Sequence, residues 1–196
     1  MRILADRHPT LAQNLWQRGD ERLKFLLLAV TGSLALWLSA KIQVPFYPVP
    51  ITMQTFVVLV VGMAFGWRLG AATVLLYLAE GALGLPVFAG TPERGIGLAY
   101  MAGPTGGYLL GFLVAAAAVG WLGQRGWDRR IATTLAAMAL GTAIIYVPGL
   151  IWLGMAIGWD KPVLELGLWP FLPGDAIKIA LAALVFPSIW RLSRQR

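Results

Sequence analysis

The chain has 196 residues, of which 58% are hydrophobic and only 13% charged, and its mean hydropathy is +0.71. A soluble domain carries about 25% charged residues and could not hide this much apolar surface, so the composition excludes a soluble globular protein and predicts one integral membrane domain. The absence of Cys excludes disulfides, thiolate nucleophiles and thiolate metal sites, and leaves the redox compartment undetermined.

Residues 1–22 are polar, hold the single His8, and carry Arg2, Arg7, Arg18 and Arg22 without an apolar core and cleavage site, so no cleavable signal peptide is expected and the segment is assigned to the cytoplasm. Leu11, Leu15 and Trp16 fall at helical spacing, which reads as a short helix on the membrane surface or a disordered tail. The first span is placed at Leu23 to Ala40, where Ala29/Ser33 and Ala35/Ser39 form small-residue pairs that let another helix approach, either within this bundle or from a partner. Pro45, Pro48 and Pro50 then forbid a helix and predict a stiff extended connection.

A second, short span is placed at Thr52 to Phe65, a tight Gly66 to Gly70 turn follows, and a third span runs from Leu69 to Leu83. Residues 81–107 are rich in Gly and Pro yet apolar, which predicts a long structured loop of the kind that covers binding sites. The fourth span is placed at Gly106 to Leu122, the fifth at Ile131 to Ile157 and the sixth at Gly174 to Trp190, with a basic tail at 192–196. The domain reading is a cytoplasmic segment 1–22, a six-helix membrane domain 23–191 and that tail.

Six spans put both termini on one side, and the cations agree. Arg2, Arg7, Arg18, Arg22, Lys24, Arg68, Arg125, Arg129, Arg130, Arg191, Arg194 and Arg196 fall on the inner side, whereas Lys41, Arg94 and Lys161 fall outside. Cytoplasmic loops carry the excess of Lys and Arg, so the net charge of +7 calls for no nucleic acid. Trp67, Trp121, Trp127 and Trp190 mark the inner boundary, and Trp159 and Trp169 the outer one.

Asp175 and Lys178 are the charges that need an explanation. They lie three residues apart at the outer start of an apolar run, so on a helix they share a face and either neutralise each other or line a site. Gln54, Glu80, Glu93, Arg94, Tyr100, Thr105 and Tyr108 gather towards the same end, which describes an outward-facing pocket beneath loops. No Lys follows a Gly, so there is no phosphate-cradling Walker loop, and one His makes neither a zinc motif nor a catalytic triad. The reading is binding or transport, with no catalytic residue, metal or resident cofactor.

Four ordered blocks carry a resemblance: Val49-Pro-Ile-Thr-Met-Gln-Thr55; Tyr77 with Gly81-Ala-Leu-Gly-Leu-Pro-Val-Phe-Ala-Gly90; Gly103-Pro-Thr-Gly-Gly-Tyr-Leu-Leu-Gly-Phe112; and Pro173-Gly-Asp-Ala-Ile-Lys178. Over roughly residues 23 to 190 the chain resembles the BioY family, the biotin-specific S components of energy-coupling factor transporters. The resemblance implies an all-α bundle of six transmembrane helices in the prokaryotic cytoplasmic membrane that captures biotin from outside. It also implies partners, a transmembrane coupling component and ATP-binding cassette subunits that use the ATP, with Ala29 and Ser33 partly matching the small-residue pattern shown to the coupling component.

Biotin offers two ureido N–H donors, a carbonyl, an apolar ring and a carboxylate on an apolar arm. Asp175 suits the ureido donors. Lys178 and Arg94 are the cations for the carboxylate, or Lys178 neutralises Asp175 and reaches the ureido oxygen while Arg94 takes the carboxylate. Phe88, Tyr100 and Tyr108 are placed as ring walls, with Gln54 and Thr105 as hydrogen-bonding groups; plain packing is the alternative for each. At Thr91 to Gly95 the chain departs from the Gly-rich loop of the family, and Arg94 either substitutes for the family's polar contact there or faces solvent.

Overall fold

The computed structural model describes residues 8–16 and 19–193. Arg2, Arg7, Arg18, Arg194 and Arg196 of the charge argument lie outside them, as does most of the basic tail. The short N-terminal helix is present as α1 (Leu11–Leu15), with Leu11 buried against the bundle, and is started by a reciprocal cap in which Thr10 Oγ1 accepts from the Gln13 N–H and Gln13 Oε1 accepts from the Thr10 N–H. Asp20 caps α2 (Glu21–Lys41) by accepting from the Arg22 N–H at 2.8 Å. At 1.5 Å per residue α2 reaches about 31 Å, the thickness of a bilayer core.

The two faces of α2 explain its uniform hydrophobicity. Ala29, Gly32, Ser33, Leu36 and Ala40 turn into the protein, while Leu26, Val30, Leu34 and Leu38 stay exposed. In water such a surface would be an aggregation liability; in lipid it has no such cost. The same division recurs on α6 (Ile131–Ile157) and α8 (Leu172–Ser193), where Val147, Ile151, Ile177 and Leu184 face outward.

The proline-rich connection is extended as expected, and it also forms a small ladder that the sequence reading did not include. Strand β1 (Gln43–Val44) pairs antiparallel with β2 (Ile51–Thr52), in the register Gln43 with Thr52 and Val44 with Ile51. Residues 81–107 are largely irregular, yet they contain the short helix α4 (Gly97–Met101), and the connection before α8 contains α7 (Val163–Gly167).

Among the described residues five helices, rather than six, are long and apolar enough to cross a membrane: α2, α3 (Gln54–Ala82), α5 (Gly106–Gly123), α6 and α8. The difference lies in α3, which joins the two segments read as separate spans. Gly66 interrupts it with φ 81° and ψ 171°, a backbone conformation that costs glycine little and any L side chain strain. The two arms lie side by side, because Gln54 Nε2 donates to Tyr77 Oη at 2.5 Å although 23 positions separate them. A straight helix would hold those residues roughly 35 Å apart.

The core runs between α3, α5 and α6, where Val58, Met63, Val74, Ala115, Val119, Met138 and Leu153 are fully buried. Gly107 lets α5 approach α6 closely: a Cβ there would stand 2.3 Å from the Pro148 carbonyl oxygen. Trp152 Nε1 donates to the Gly103 carbonyl at 2.9 Å beside it, so the Gly103 to Gly107 block is a helix-docking surface at the mouth of the bundle.

Candidate functional site

The site lies at the end of the bundle where α2 stops and α5 and α8 begin. A cavity of about 50 Å³ is lined by Val49, Pro50, Gln54, Thr55, Tyr100, Thr105, Tyr108, Phe112, Tyr146, Phe171 and Lys178, among others. The β1–β2 connection and the 81–107 loop roof it, and α3, α5, α6 and α8 wall it. Its lining is mostly apolar with a few convergent polar groups, which is the usual make-up of a small-molecule site.

The Asp175–Lys178 pair forms one turn of α8, with Lys178 Nζ donating to Asp175 Oδ1 at 3.0 Å. Lys178 also donates to the Thr52 carbonyl at 2.8 Å and to Thr55 Oγ1 at 2.9 Å, which accounts for its three N–H groups. Only Lys178 reaches the cavity wall; Asp175 sits behind it, 4% exposed, where its Oδ2 accepts a short hydrogen bond from the Tyr146 hydroxyl. Thr55 Oγ1 donates to Asp175 Oδ1 at 3.4 Å. A charge buried this deeply is tolerable because it is paired and hydrogen-bonded on both oxygens.

The aromatic candidates fall in two groups, Phe88 with Tyr100 and Tyr108 with Tyr146. Phe88, 1% exposed, stacks on Tyr100 with ring centres 4.9 Å apart and meets Tyr77 edge-on at 5.5 Å, so it stiffens the wall from behind rather than lining it. Tyr77 in turn donates to the Val87 carbonyl at 3.1 Å, tying the Gln54 bond to the loop. Tyr108 lines the cavity while its hydroxyl donates to the Gly167 carbonyl at 2.9 Å. Burial raises the Tyr100 phenol above its ordinary pKa, against a Thr105 hydrogen bond and the Arg94 charge.

Arg94 is not among the cavity's lining residues. Its guanidinium donates to the Phe46 carbonyl at 3.0 Å and the Pro48 carbonyl at 3.3 Å, so it clasps one roofing loop to the other. Lys41 does the same from the end of α2, donating to the Phe88 carbonyl at 3.1 Å and to Thr91 Oγ1 at 3.0 Å. Of the other acidic candidates, Glu80 accepts from Ser33 Oγ at 2.5 Å, well away from the cavity lining. That bond turns Ser33 inward, and Ala29 is buried beside it within the bundle.

Among the groups at the site that escaped the sequence reading are Tyr146, Thr55 and Phe171. Tyr146 was hidden in an apolar helix of 27 residues, where a tyrosine looks like packing; its polar tip within the span was the available signal. Thr55 and Phe171 flank motif residues that were singled out, one position from Gln54 and one turn before Asp175.

A loop-roofed cavity with a buried ion pair, set in a bundle whose outer faces suit lipid, defines a membrane-embedded binding protein for a small molecule. The chain belongs to the BioY family, whose family model matches residues 12–195. It is 39% identical over 158 residues to the biotin transporter BioY of Rhizobium etli, covering 77% of this chain and 83% of the relative. It is 35% identical over 172 residues to the biotin transporter BioY of Thermotoga maritima, covering 88% and 95%. In fold it is similar to a crystal structure of the S-component for biotin from an ECF-type ABC transporter, with a TM-score of 0.73, 23% identity, and coverage of 89% of this chain and 94% of that one.

Proposed function

We propose that the protein captures biotin in this cavity and serves as the substrate-specific component of an energy-coupling factor transporter in the prokaryotic cytoplasmic membrane. A transmembrane coupling component and ATP-binding cassette ATPases supply the energy, since the chain carries no Walker loop of its own. The two arms of α3 are separate spans, of about 18 Å and about 24 Å at 1.5 Å per residue, which makes six spans and puts both termini in the cytoplasm. Arms this short are accommodated by local thinning of the bilayer and by the loops that cover their ends.

The observation that carries the reading is Lys178 at the wall of a mostly apolar cavity, held there by the buried Asp175 behind it with support from Thr55 and Tyr146. In the proposed site Lys178 presents its charge to the ligand, and Asp175, behind it and hydrogen-bonded on both oxygens, holds that ammonium in place. Gln54, Tyr100, Thr105 and Tyr108 shape the walls, Phe88 buttresses them, and Arg94 holds the roof closed. Isothermal titration of the purified protein is the test: wild type binds biotin, and Asp175→Asn and Lys178→Ala each weaken binding at least about tenfold, as losing one partner of a buried pair demands. Unchanged affinity in both variants would sink the site assignment, and binding of another vitamin with no response to biotin would replace the substrate.

A further inference from the structure

A second cavity lies at the opposite end of the bundle, between α1, the first turns of α2, the break in α3 and the last turn of α5. It is larger than the first, about 500 Å³, and its walls are of two kinds. Phe25, Leu28 and Phe65 are apolar, whereas Lys24, Arg68 and Gln124 bring polar groups.

The charges there do not cancel. Lys24 is neutralised by Glu21, to whose Oε1 it donates at 2.8 Å. Arg68 has no carboxylate within ion-pair distance among the described residues, and its guanidinium stands 5.2 Å from the Trp67 ring centre. Among the described residues one net positive charge therefore faces the cavity. Gln124 adds a second demand: its side chain is 8% exposed, yet its Oε1 is buried without a hydrogen-bond partner. Leaving a buried acceptor unmade costs free energy, and a ligand donor removes that cost once the Gln124 side chain turns its Oε1 out to the cavity.

A free polar metabolite would match the cation and the acceptor but not the Phe25, Leu28 and Phe65 wall. The location argues further, because Trp67 and Trp121 are exposed at this end and each stacks with an arginine, as side chains at a lipid–water interface do. Basic pockets between transmembrane helices at such an interface bind anionic head groups. We infer that this cavity binds one anionic phospholipid with a hydroxylated head group, its phosphate on Arg68, a hydroxyl donating to Gln124 Oε1, and its upper acyl chain against Phe25, Leu28 and Phe65. A phosphatidylglycerol satisfies all three demands; a phosphatidylcholine offers no hydroxyl donor and no net charge. This site is independent of the one assigned to biotin and does not rest on that reading.

Native mass spectrometry of the full chain, released from detergent with equimolar palmitoyl-oleoyl phosphatidylglycerol and phosphatidylcholine, tests it. One phosphatidylglycerol is retained with a preference of about fivefold or more, in line with one cation at a membrane surface. The preference falls towards one in Arg68→Gln, and the lipid is excluded in Leu28→Trp, which fills the cavity. Arg68 is exposed, so Arg68→Gln carries the test if the bulkier variant disturbs folding. Equal retention of the two lipids, or an unchanged preference in Arg68→Gln, overturns the proposal. Displacement of the lipid by millimolar glycerol 3-phosphate also overturns it, in favour of a soluble anion.

Discussion

At the scale of single residues, Tyr146 decides how the buried pair behaves. Its hydroxyl donates to Asp175 Oδ2, while Lys178 and Thr55 serve Oδ1, so each carboxylate oxygen has its own donors. Tyr146→Phe keeps the ring among its neighbours and removes only the donor. The abandoned oxygen then costs about 1–3 kcal/mol, and the carboxylate is free to turn. Biotin affinity is expected to drop by about fivefold or more in isothermal titration, and the thermal midpoint of the apo protein to fall by about 2–12 °C, at about 2–4 °C per kcal/mol; unchanged affinity would reduce Tyr146 to a packing residue.

Asp128 supplies a second residue-scale prediction, at the other end. It is 1% exposed in the 3₁₀ turn Trp127–Arg129, its Oδ2 accepts from Trp190 Nε1 at 2.5 Å, and its Oδ1 has no partner. Burial raises its pKa above the ordinary 3.8, against the Trp190 hydrogen bond and the nearby charges of Arg129 and His8. The folded protein therefore holds this proton more tightly than the unfolded chain does, so the contribution to stability is full below the ordinary pKa and is lost as pH rises through the folded one. Asp128→Asn retains an oxygen for Trp190 and is expected to flatten that part of the profile. Thermal midpoints from about pH 4 upward, compared between wild type and variant, check it; parallel profiles would exclude Asp128 as the source.

These residues also show what a sequence can disclose. Asp175 and Lys178 were legible because two charges stand out in an apolar run, and their spacing of three sets them on one face. Arg94 was legible as a cation but not as a clasp, because its acceptors are carbonyls of residues 46 and 48, brought close only by loop-on-loop packing. Ser33 and Ala29 read as small residues that let a helix approach, within the bundle or from a partner; within the bundle Ser33 Oγ donates to Glu80 on α3, and Ala29 is buried.

At the scale of elements, the break in α3 is the feature on which the bundle turns. The glycine at 66 was visible as a turn, but the sequence reading spent residues 66–70 on it, whereas the helix resumes at once after a single non-helical residue. One positive φ is sufficient to reverse the chain where the flanking residues are good helix formers, and hydropathy alone does not register a one-residue event. The space beside Gly66 is equally restrictive, since a Cβ there would stand 2.9 Å from Gln124 Nε2 and 2.9 Å from Thr10 Cγ2. Gly66→Ala thus combines backbone strain of about 1 kcal/mol or more with crowding at the α1 contact. A fall in the thermal midpoint of several degrees is expected by differential scanning fluorimetry in detergent, at about 2–4 °C per kcal/mol for a chain of this size. A midpoint within one degree of wild type would mean that the reversal is held by the Gln54–Tyr77 bond and its surroundings instead. The short helices α4 and α7 and the β1–β2 ladder were not legible for a related reason: stretches of two to five residues carry too little periodicity to separate from loop.

At the scale of the whole molecule, the span count fixes which side each loop faces, and the two ways of counting α3 make opposite statements. If its arms cross separately, the chain crosses six times, and the 125–130 turn lies on the same side as the N-terminus while the connection around Lys161 lies opposite. If α3 were one crossing, every loop after it would change sides. The distribution of charge favours the first: Arg125, Arg129, Arg130 and Arg191 then join Arg22, Lys24 and Arg68 on one face, as membrane insertion prefers. Three arginine–tryptophan contacts, at Trp67, Trp121 and Trp190, cluster at that face and none of the three at the other. Because the chain contains no Cys, single cysteines report without background. Arg130 and Lys161 are both exposed, so neither Arg130→Cys nor Lys161→Cys disturbs the core. In intact cells a membrane-impermeant maleimide is expected to label Lys161→Cys and to reach Arg130→Cys only after permeabilisation. The reverse pattern would mean a five-span chain or an inverted six-span one, and either would place the cavity at Lys178 on the cytoplasmic side, where it could not receive a ligand from outside.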